Sequence, residues 1–325
     1  MFDLVGFNFE IENLINIYKK KNLHSSIIFY GPKGIGKRHF VNKFISEIIK
    51  LKFSDTNLIH HLNLFYNNSH PNIKILEKEI DKKTKKYNSN ITIDQIRNLK
   101  KFNLSSSSIK GIDKFIIVDC ADDLNLNSAN SLLKTLEEPN NSFIFLISHQ
   151  LSSLLPTIRS RCHKIKFSSH TYSDFKNILS SSIDTIKDDE IKFFYDFTQG
   201  SPGNAISLYK DEIFVYLNQT ISNFNKGLNF EILDLSKTLS KLEDDKFKNY
   251  ISVLKSLLII LHKVKINKNL QDTFLSETLK NVQIIASSLS YQNIIDKFNF
   301  LINNENDLFT YNLDKKLFIQ KFIIS

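Results

Sequence analysis

The sequence predicts a parallel α/β domain followed by all-helical segments, and two features of the chain support this prediction. First, four short runs of strand-forming residues in the first half alternate with helical patterns, and three of these runs are almost continuously apolar, as in strands buried on both faces. Second, strand signals fade beyond about residue 168, and amphipathic helical patterns dominate the remainder. A parallel sheet covered by helices is therefore the economical fold for the first half.

The individual elements follow from local residue patterns. The predicted strands cover residues 26–30, 114–119, 142–148 and 164–167. The clearest helix is predicted over residues 128–138, where Asn127 can cap the start and Pro139 ends the helix. The polar residues 54–90, rich in Asn and Lys, predict an irregular insertion, and residues 105–108 predict a surface turn.

The second half contains further helix boundaries. A helix is predicted to begin at Thr171 or Ser173, and another covers about residues 188–198, with Gly200 able to end it. Ser201-Pro202 can open the next helix, since proline suits the first helical turn. The sequence thus predicts three domains, a sheet domain over 1–168, a small helical domain over 169–212 and an all-α domain over 213–325.

Composition narrows the class of protein. The chain has 325 residues with 42% hydrophobic and 24% charged residues, which are globular values and exclude a fibrous or disordered protein. Two cysteines cannot build a secreted disulfide framework or a four-cysteine zinc module, and a reducing cytoplasm is the expected location. The first residues lack a signal peptide pattern, and no apolar run is long enough to cross a membrane.

The net charge of +9 permits a polyanionic partner without proving one. Lysine, asparagine and isoleucine are abundant while arginine occurs four times, so biased codon use is the favoured explanation of the charge. The Lys-rich residues 81–86 lack interleaved aromatic or arginine residues and predict a solvated loop rather than a DNA contact.

A glycine-rich loop follows the first predicted strand and precedes a helical pattern, which is the context of a phosphate-binding loop. Its candidate residues are Gly31, Gly34, Gly36 and Lys37. Glycines let backbone N–H groups face phosphate oxygens, and the lysine supplies a mobile positive charge. The next position carries Arg38 where a hydroxyl should bind Mg²⁺, and a guanidinium cannot coordinate a cation.

A second element of phosphate chemistry is a strand that ends in Asp and Glu. Here the strand over residues 114–119 ends in Asp119, but Cys120 replaces the catalytic glutamate, and a thiol is a poor general base at neutral pH. Asp122 and Asp123 are interpreted as capping residues of the following turn. The two losses, at positions 38 and 120, predict a site that holds nucleotide at most and hydrolyses it poorly.

Residues 118–139, which contain the run LLKTLEEP, and the segment TIRSRC at 157–162 resemble the clamp-loader branch of the AAA+ ATPases. The resemblance extends to the chain length and the order of domains. Within this branch, the residues of both segments resemble the delta-prime subunits of bacterial DNA polymerase III more closely than they resemble the ATP-hydrolysing gamma/tau subunits. The resemblance implies a P-loop AAA+ core, a helical lid and a helical collar.

The resemblance also implies roles for individual residues. Arg161 of the SRC motif is expected to reach into the ATP site of a neighbouring subunit as an arginine finger. Ser148 takes the position of the sensor-1 polar residue, and Asn204 stands where active family members carry a sensor-2 arginine. The latter is a third departure from an active ATPase.

For cofactors and partners, the resemblance implies a non-hydrolysing stator within a DNA polymerase holoenzyme, in a heteropentamer with gamma/tau and delta subunits that loads the sliding clamp onto primer–template DNA. No cofactor is required, although ATP or ADP can occupy the degenerate loop. The family's four-cysteine zinc module cannot form without cysteines before Cys120, and His60, His61 and His70 are interpreted as surface residues, so no metal is assigned.

Several alternatives stay open on the residues alone. Arg159 and Arg161 point in different directions if their segment is helical, and either can pair with a local carboxylate. The phosphate loop can be vestigial and empty. Cys120 and Cys162 are expected to be small buried residues with inert thiols. Two rival functions are a gamma-like ATP-hydrolysing motor and a DNA-binding module.

Overall fold

The computed structural model describes residues 5–80, 87–88, 90–104, 109–140, 142–223, 230–266 and 285–324. The chain divides into two compact units, Met1–Ser169 and His170–Ser325. The first unit contains the sheet, and the second is helical throughout its described part. The predicted class, a parallel α/β domain followed by helices, is confirmed.

Five parallel strands form the sheet of the first unit in the order β2-β3-β4-β1-β5. They are β1 (Ser26–Tyr30), β2 (Ile73–Leu76), β3 (Lys114–Asp119), β4 (Ser142–Ser148) and β5 (His163–Lys166). The three central strands are buried along almost their whole length, which explains their continuous apolar sequences. The two edge strands have four residues each and are partly exposed.

Helices cover both faces of this sheet. They are α1 (Asn8–Lys19), α2 (Lys37–Lys52), α3 (Asp55–Tyr66), α4 (Ile93–Leu104), α5 (Leu126–Glu137) and α6 (Pro156–Arg161), with single 3₁₀ turns at Ala121–Asp123 and Leu151–Ser153. Alternate strand residues enter two separate apolar clusters: Ile27 and Phe29 pack with α1 and α2, whereas Ile28 packs with α4 and α5. The period of two along each strand thus divides the core into two layers.

The structure corrects three local predictions. The stretch 54–90, predicted to be an irregular insertion, contains the regular elements α3 and β2 in its described part. The helix predicted over 128–138 begins at Leu126, and its cap is Asn125, whose side chain accepts a 2.9 Å hydrogen bond from the Ser128 backbone N–H. The last strand begins one residue earlier than predicted. The turn predicted at 105–108 and the Lys-rich loop at 81–86 lie outside the described residues.

The described residues of the second unit contain eight helices of nine or more residues. They are α7 (Tyr172–Ser182), α8 (Asp188–Phe197), α9 (Pro202–Lys210), α10 (Ile213–Asn223), α11 (Phe230–Ser240), α12 (Asp244–Ile266), α13 (Tyr291–Thr310) and α14 (Lys315–Ile324). Thr171 caps α7 by accepting a hydrogen bond from the Asp174 N–H, as predicted. One continuous apolar cluster extends from Phe175 to Ile323 through this unit. The finer division at residues 212 and 213 stays a prediction.

Long helices invite the question of membrane insertion. None of the helices in the described ranges combines enough length with enough hydrophobicity to cross a bilayer.

Candidate functional site

The predicted site residues of the first unit meet at the carboxyl edge of the parallel sheet. The glycine-rich loop follows β1, Asp119 ends β3 and Ser148 ends β4. Strand register brings these ends level, because Tyr30 lies opposite Ser148 and Asp119 lies opposite Ile147. Carboxyl ends of parallel strands are where open α/β sheets place their ligands.

The loop between β1 and α2 has the backbone of a phosphate-binding loop. Gly34 (φ 78°) and Gly36 (φ 91°) adopt left-handed conformations, and Gly36 occupies the N-cap of α2. Gly31 has a separate packing reason, since a Cβ atom there would lie 2.2 Å from the carbonyl oxygen of Phe167. Gly34 and Gly36 thus have the conformations of a phosphate-binding loop, whereas Gly31 is required by its packing against Phe167.

The lysine of this loop is bound to the loop itself. Lys37 Nζ donates to the carbonyl oxygens of Gly31 and Pro32, each at 2.6 Å, and the side chain is 3% exposed. Burial lowers the pKa of Lys37 to about 8, although the neighbouring Cys120, Asp122 and Asp119 act in the opposite direction. An incoming phosphate would have to displace both carbonyl contacts before it could use this ammonium group.

The position of the Mg²⁺-binding hydroxyl is taken by an ion pair. Arg38 Nη1 lies 3.1 Å from Asp119 Oδ2, and Arg38 Nε donates to Asn42 Oδ1 at 3.1 Å. The two side chains of the ion pair are only 22% and 25% exposed. Asp119, the carboxylate that would lie near magnesium, is therefore neutralised by a guanidinium, and the donor set does not fit Mg²⁺.

Asp122 has a larger role than the capping predicted for it, since its carboxylate collects hydrogen bonds from the end of β4 and from Cys120. The donors are Cys120 Sγ (2.6 Å), Ser148 Oγ (3.0 Å), His149 N (2.7 Å), Gln150 N (3.2 Å) and Ser153 Oγ (2.5 Å). Burial alone would raise the pKa of Asp122, but the hydrogen bonds outweigh it and lower the pKa to about 2. The carboxylate is thus charged but occupied, and Ser148, the predicted sensor residue, is bound to it.

Neither thiol is set up as a base or nucleophile. Burial raises the pKa of Cys120 above its ordinary value, and the Asp122 carboxylate raises it further. Burial also raises the pKa of Cys162 to about 12. The prediction of a buried side chain holds for Cys162 but not for Cys120, which is half-buried because its sulfur faces Asp122 rather than a core.

The two arginines of the TIRSRC segment lie in α6. Arg161 forms an ion pair with Glu137 at the end of α5, with Nη2 and Nε at 2.5 and 2.8 Å from Oε1, and its Nη1 donates to the Thr157 carbonyl. The Arg161 and Glu137 side chains are 36% and 48% exposed. Arg159 differs, because its Nε is buried and has no hydrogen-bond partner in the described part of the chain. The predicted divergence of the two arginines is confirmed.

The remaining candidates lie elsewhere. Asn204 belongs to α9 in the second unit. The histidines are not all surface residues: His61 and His70 are buried, at 8% and 3% exposed, because α3 packs on the sheet domain and Phe53 stacks on His61 with ring centroids 3.9 Å apart. The interpretation of these two as surface histidines was wrong. Of these three histidines, only His60 is exposed.

Sequence reasoning missed His149, Ser153 and the Arg38–Asp119 pairing. The position of His149 directly after Ser148, at the end of a predicted strand, is the signal that could have found it. The ion pair joins residues 81 positions apart, so no local pattern announces it.

Comparison with known proteins gives a consistent result. Residues 8–171 match the family described as DNA polymerase III, delta subunit. A delta-prime subunit of DNA polymerase III from Pseudomonas aeruginosa is 35% identical over 139 residues, covering 42% of this chain and 40% of that protein. A Bacillus subtilis delta-prime subunit is 29% identical over 157 residues, covering 47% and 45%. The match thus spans less than half the length of these relatives.

Longer but weaker similarities also occur. A DNA polymerase III gamma subunit from Buchnera aphidicola subsp. Schizaphis graminum is 24% identical over 314 residues, covering 94% of this chain and 82% of that protein. Among solved structures, a gamma subunit-related protein from Thermotoga maritima is 17% identical with a TM-score of 0.44, covering 96% of this chain and 97% of that one. The structural likeness is too distant to bear on function.

Proposed function

The chain belongs to the DNA polymerase III delta-subunit family, and on this basis we propose that it is a delta-prime-type stator of a clamp loader, which hydrolyses no ATP itself. The observation that carries the proposal is the internal pairing of the pocket. Lys37 is bound to its own loop, and Arg38 neutralises Asp119. Both groups that would handle a magnesium triphosphate are therefore engaged with the protein.

Arg161 supplies the second half of the proposal, in which it completes the ATP site of a neighbouring subunit. Its present partner, Glu137, does not oppose this role, because ion pairs as exposed as this one contribute about 0–1 kcal/mol. A guanidinium delivered to a transferring phosphoryl group contributes about 10³–10⁵ in rate in GTPases. The gain in the transition state therefore exceeds the cost of leaving Glu137.

The proposed partners follow from the same reasoning. We expect gamma/tau-type motor subunits and a delta subunit to share the ring, and the sliding clamp and primer–template DNA to be engaged through the complex. No nucleotide in this chain's own pocket is required.

The test is reconstitution of the complex from the full chain, the motor and delta subunits, the clamp and primed DNA. We expect the Arg161→Ala variant to assemble normally but to lose DNA-stimulated hydrolysis at the one ATP site that it completes. Arg97→Ala is the matched control, because Arg97 also forms an exposed ion pair, with Asp94 at 3.0 Å, on the same unit. A DNA-stimulated ATPase rate unchanged by Arg161→Ala would refute the finger role.

The rival functions are separated by the isolated chain. The long match to a gamma subunit raises the alternative of a gamma-like motor. Such a motor would hydrolyse ATP and would lose this activity in Lys37→Ala. The contacts of Lys37 and Arg38 speak against it. A DNA-binding module would bind duplex DNA alone, with an affinity that falls steeply with salt. We expect the chain alone to show neither activity.

A further inference from the structure

Three side chains with metal-binding atoms converge beside the closed pocket. Cys120, Asp122 and His149 each offer one ligand atom, and the three atoms lie within 4.8 Å of one another. Two rigid elements position them, since Cys120 and Asp122 follow β3 and His149 follows β4, its neighbour in the sheet. The backbone N–H of His149 also donates to Asp122, which fixes the spacing of the two chain segments.

The imidazole of His149 provides a second, independent observation. Its Nδ1 atom is buried and has no hydrogen-bond partner among the described residues. A buried polar atom without a partner costs about 1–3 kcal/mol, so such atoms call for an explanation. A metal ion that binds the imidazole through this nitrogen would provide one.

We propose that Cys120, Asp122 and His149 bind one Zn²⁺ ion. Thiolate, imidazole and carboxylate are the ligand types that zinc takes in proteins, whereas Mg²⁺ requires oxygen ligands in an octahedron. A tetrahedral zinc ion with bonds of about 2.0–2.3 Å holds its ligand atoms about 3.5 Å apart. Binding would therefore widen the 2.6 Å contact between Cys120 Sγ and Asp122 Oδ2, and would shorten any longer separation, none of which exceeds 4.8 Å. Water completes the fourth position.

Charge and proton accounting are compatible with this assignment. In the absence of metal, the Cys120 thiol proton lies between Sγ and Asp122 Oδ2. Zinc takes the place of that proton, which leaves to solvent, and the resulting thiolate and carboxylate neutralise the two charges of the ion. The lack of cysteines before Cys120 excludes the four-cysteine module but not this site, which uses Cys120 itself.

The proposal is independent of the stator role. Cys120 stands where a catalytic glutamate was expected, and this cysteine changes an oxygen-ligand site into a mixed sulfur, nitrogen and oxygen site. An ion there would join the turn after β3 to the end of β4 and hold the pocket in its closed form. The ion would therefore stabilise the fold and take no part in hydrolysis.

Zinc binding is measured on the purified full chain, stripped with a chelator, by titration with Zn²⁺ and by metal analysis after dialysis. Titration with Co²⁺ reports the chemistry, because a bound thiolate gives a charge-transfer band. We expect one ion per chain. Cys120→Ser and His149→Gln should each weaken binding more than about 100-fold, beyond the roughly 10–100-fold that loss of an outer-shell partner costs.

The controls are the other candidate ligands of the same unit. Cys162→Ser removes the second thiol, and His61→Gln alters the buried histidine pair, so both should leave binding unchanged. A second readout uses the folded Cys162→Ser variant, in which Cys120 is the sole thiol: zinc should protect Cys120 from an alkylating reagent. Binding that persists in Cys120→Ser, binding lost in His61→Gln, or no stoichiometric binding by the wild-type chain would each overturn the assignment.

Discussion

The buried histidine before β2 should make the first unit sensitive to mild acid. His70 is 3% exposed; its Nδ1 accepts a 3.2 Å hydrogen bond from the Asn72 backbone N–H, and its Nε2 has no partner in the described ranges. Burial, together with the smaller effect of the nearby His61 and His60 charges in the same direction, lowers the pKa of His70 to about 4. The folded protein therefore resists protonation that the unfolded chain accepts.

The sign and the size of the effect follow from linkage. The unfolded chain protonates His70 as pH falls through about 6.5, while the folded chain stays neutral down to about 4. The full contribution of His70 to stability is thus present above pH 6.5 and declines as pH falls from 6.5 to 4. A difference of about 2.5 pKa units corresponds to about 3 kcal/mol in total, of which about 2 kcal/mol is lost between pH 7 and pH 5.

The assay is urea unfolding of the full chain at pH 7 and pH 5, followed by circular dichroism. In His70→Asn, the new amide oxygen can still accept the hydrogen bond from the Asn72 N–H, but position 70 no longer carries a titrating group. The difference in unfolding free energy between pH 7 and pH 5 should therefore shrink by about 2 kcal/mol. The control is His39→Gln, which replaces an exposed histidine of α2 and should keep the wild-type difference in stability between the two pH values. An unchanged pH dependence in His70→Asn would refute the reasoning.

Two further predictions concern the pocket and the second unit. The substitution Arg38→Thr introduces a hydroxyl and removes the cation that pairs with Asp119. We expect calorimetry to show that Mg²⁺–ADP binds about tenfold more tightly or better, which corresponds to about 1.4 kcal/mol. An unchanged affinity would mean that Arg38 does not close the site. In α12, the buried Tyr250 hydroxyl lies 2.6 Å from Thr220 Oγ1, which also donates to the Tyr216 carbonyl. In urea unfolding, Tyr250→Phe should lower the free energy of unfolding by about 1 kcal/mol. Thr220→Val should lower it more, by about 1–3 kcal/mol, because this variant leaves the tyrosine hydroxyl buried without its partner. Equal losses in the two variants would contradict this reasoning.

The central strands were predictable because their burial is written into consecutive residues. The strands β1, β3 and β4 have the predicted bounds, and each is covered by helices on both faces. By contrast, β2 escaped prediction. It is an edge strand of four residues with Lys74 exposed, and it lies in a polar stretch whose composition resembles a loop.

The candidate site was predictable in place but not in its contacts. Because parallel strands end at one edge, the sequence positions of Asp119 and Ser148 were enough to bring them together with the loop. The partners of Lys37, Arg38 and Asp122 could not be predicted. Several groups of the same chemistry could pair with each side chain, and the choice among them depends on distances in the folded chain. The cysteine at position 120 could be read from the sequence alone, whereas the contacts of Lys37 and Arg38 could not.

Arg38 and Arg161 differ in how firmly they are held, and this difference supports the opposite roles that we propose for them. Arg38 contacts both Asp119 and Asn42, and its ion pair is about three quarters buried, so breaking the pair would strand a carboxylate in a poorly solvated place. Arg161 and Glu137 are each more than a third exposed, so water replaces their contact at little cost. The firmly held Arg38 therefore fits the proposal of a loop that does not hydrolyse ATP, and the loosely held Arg161 fits the proposed role of leaving Glu137 for a phosphate on another subunit.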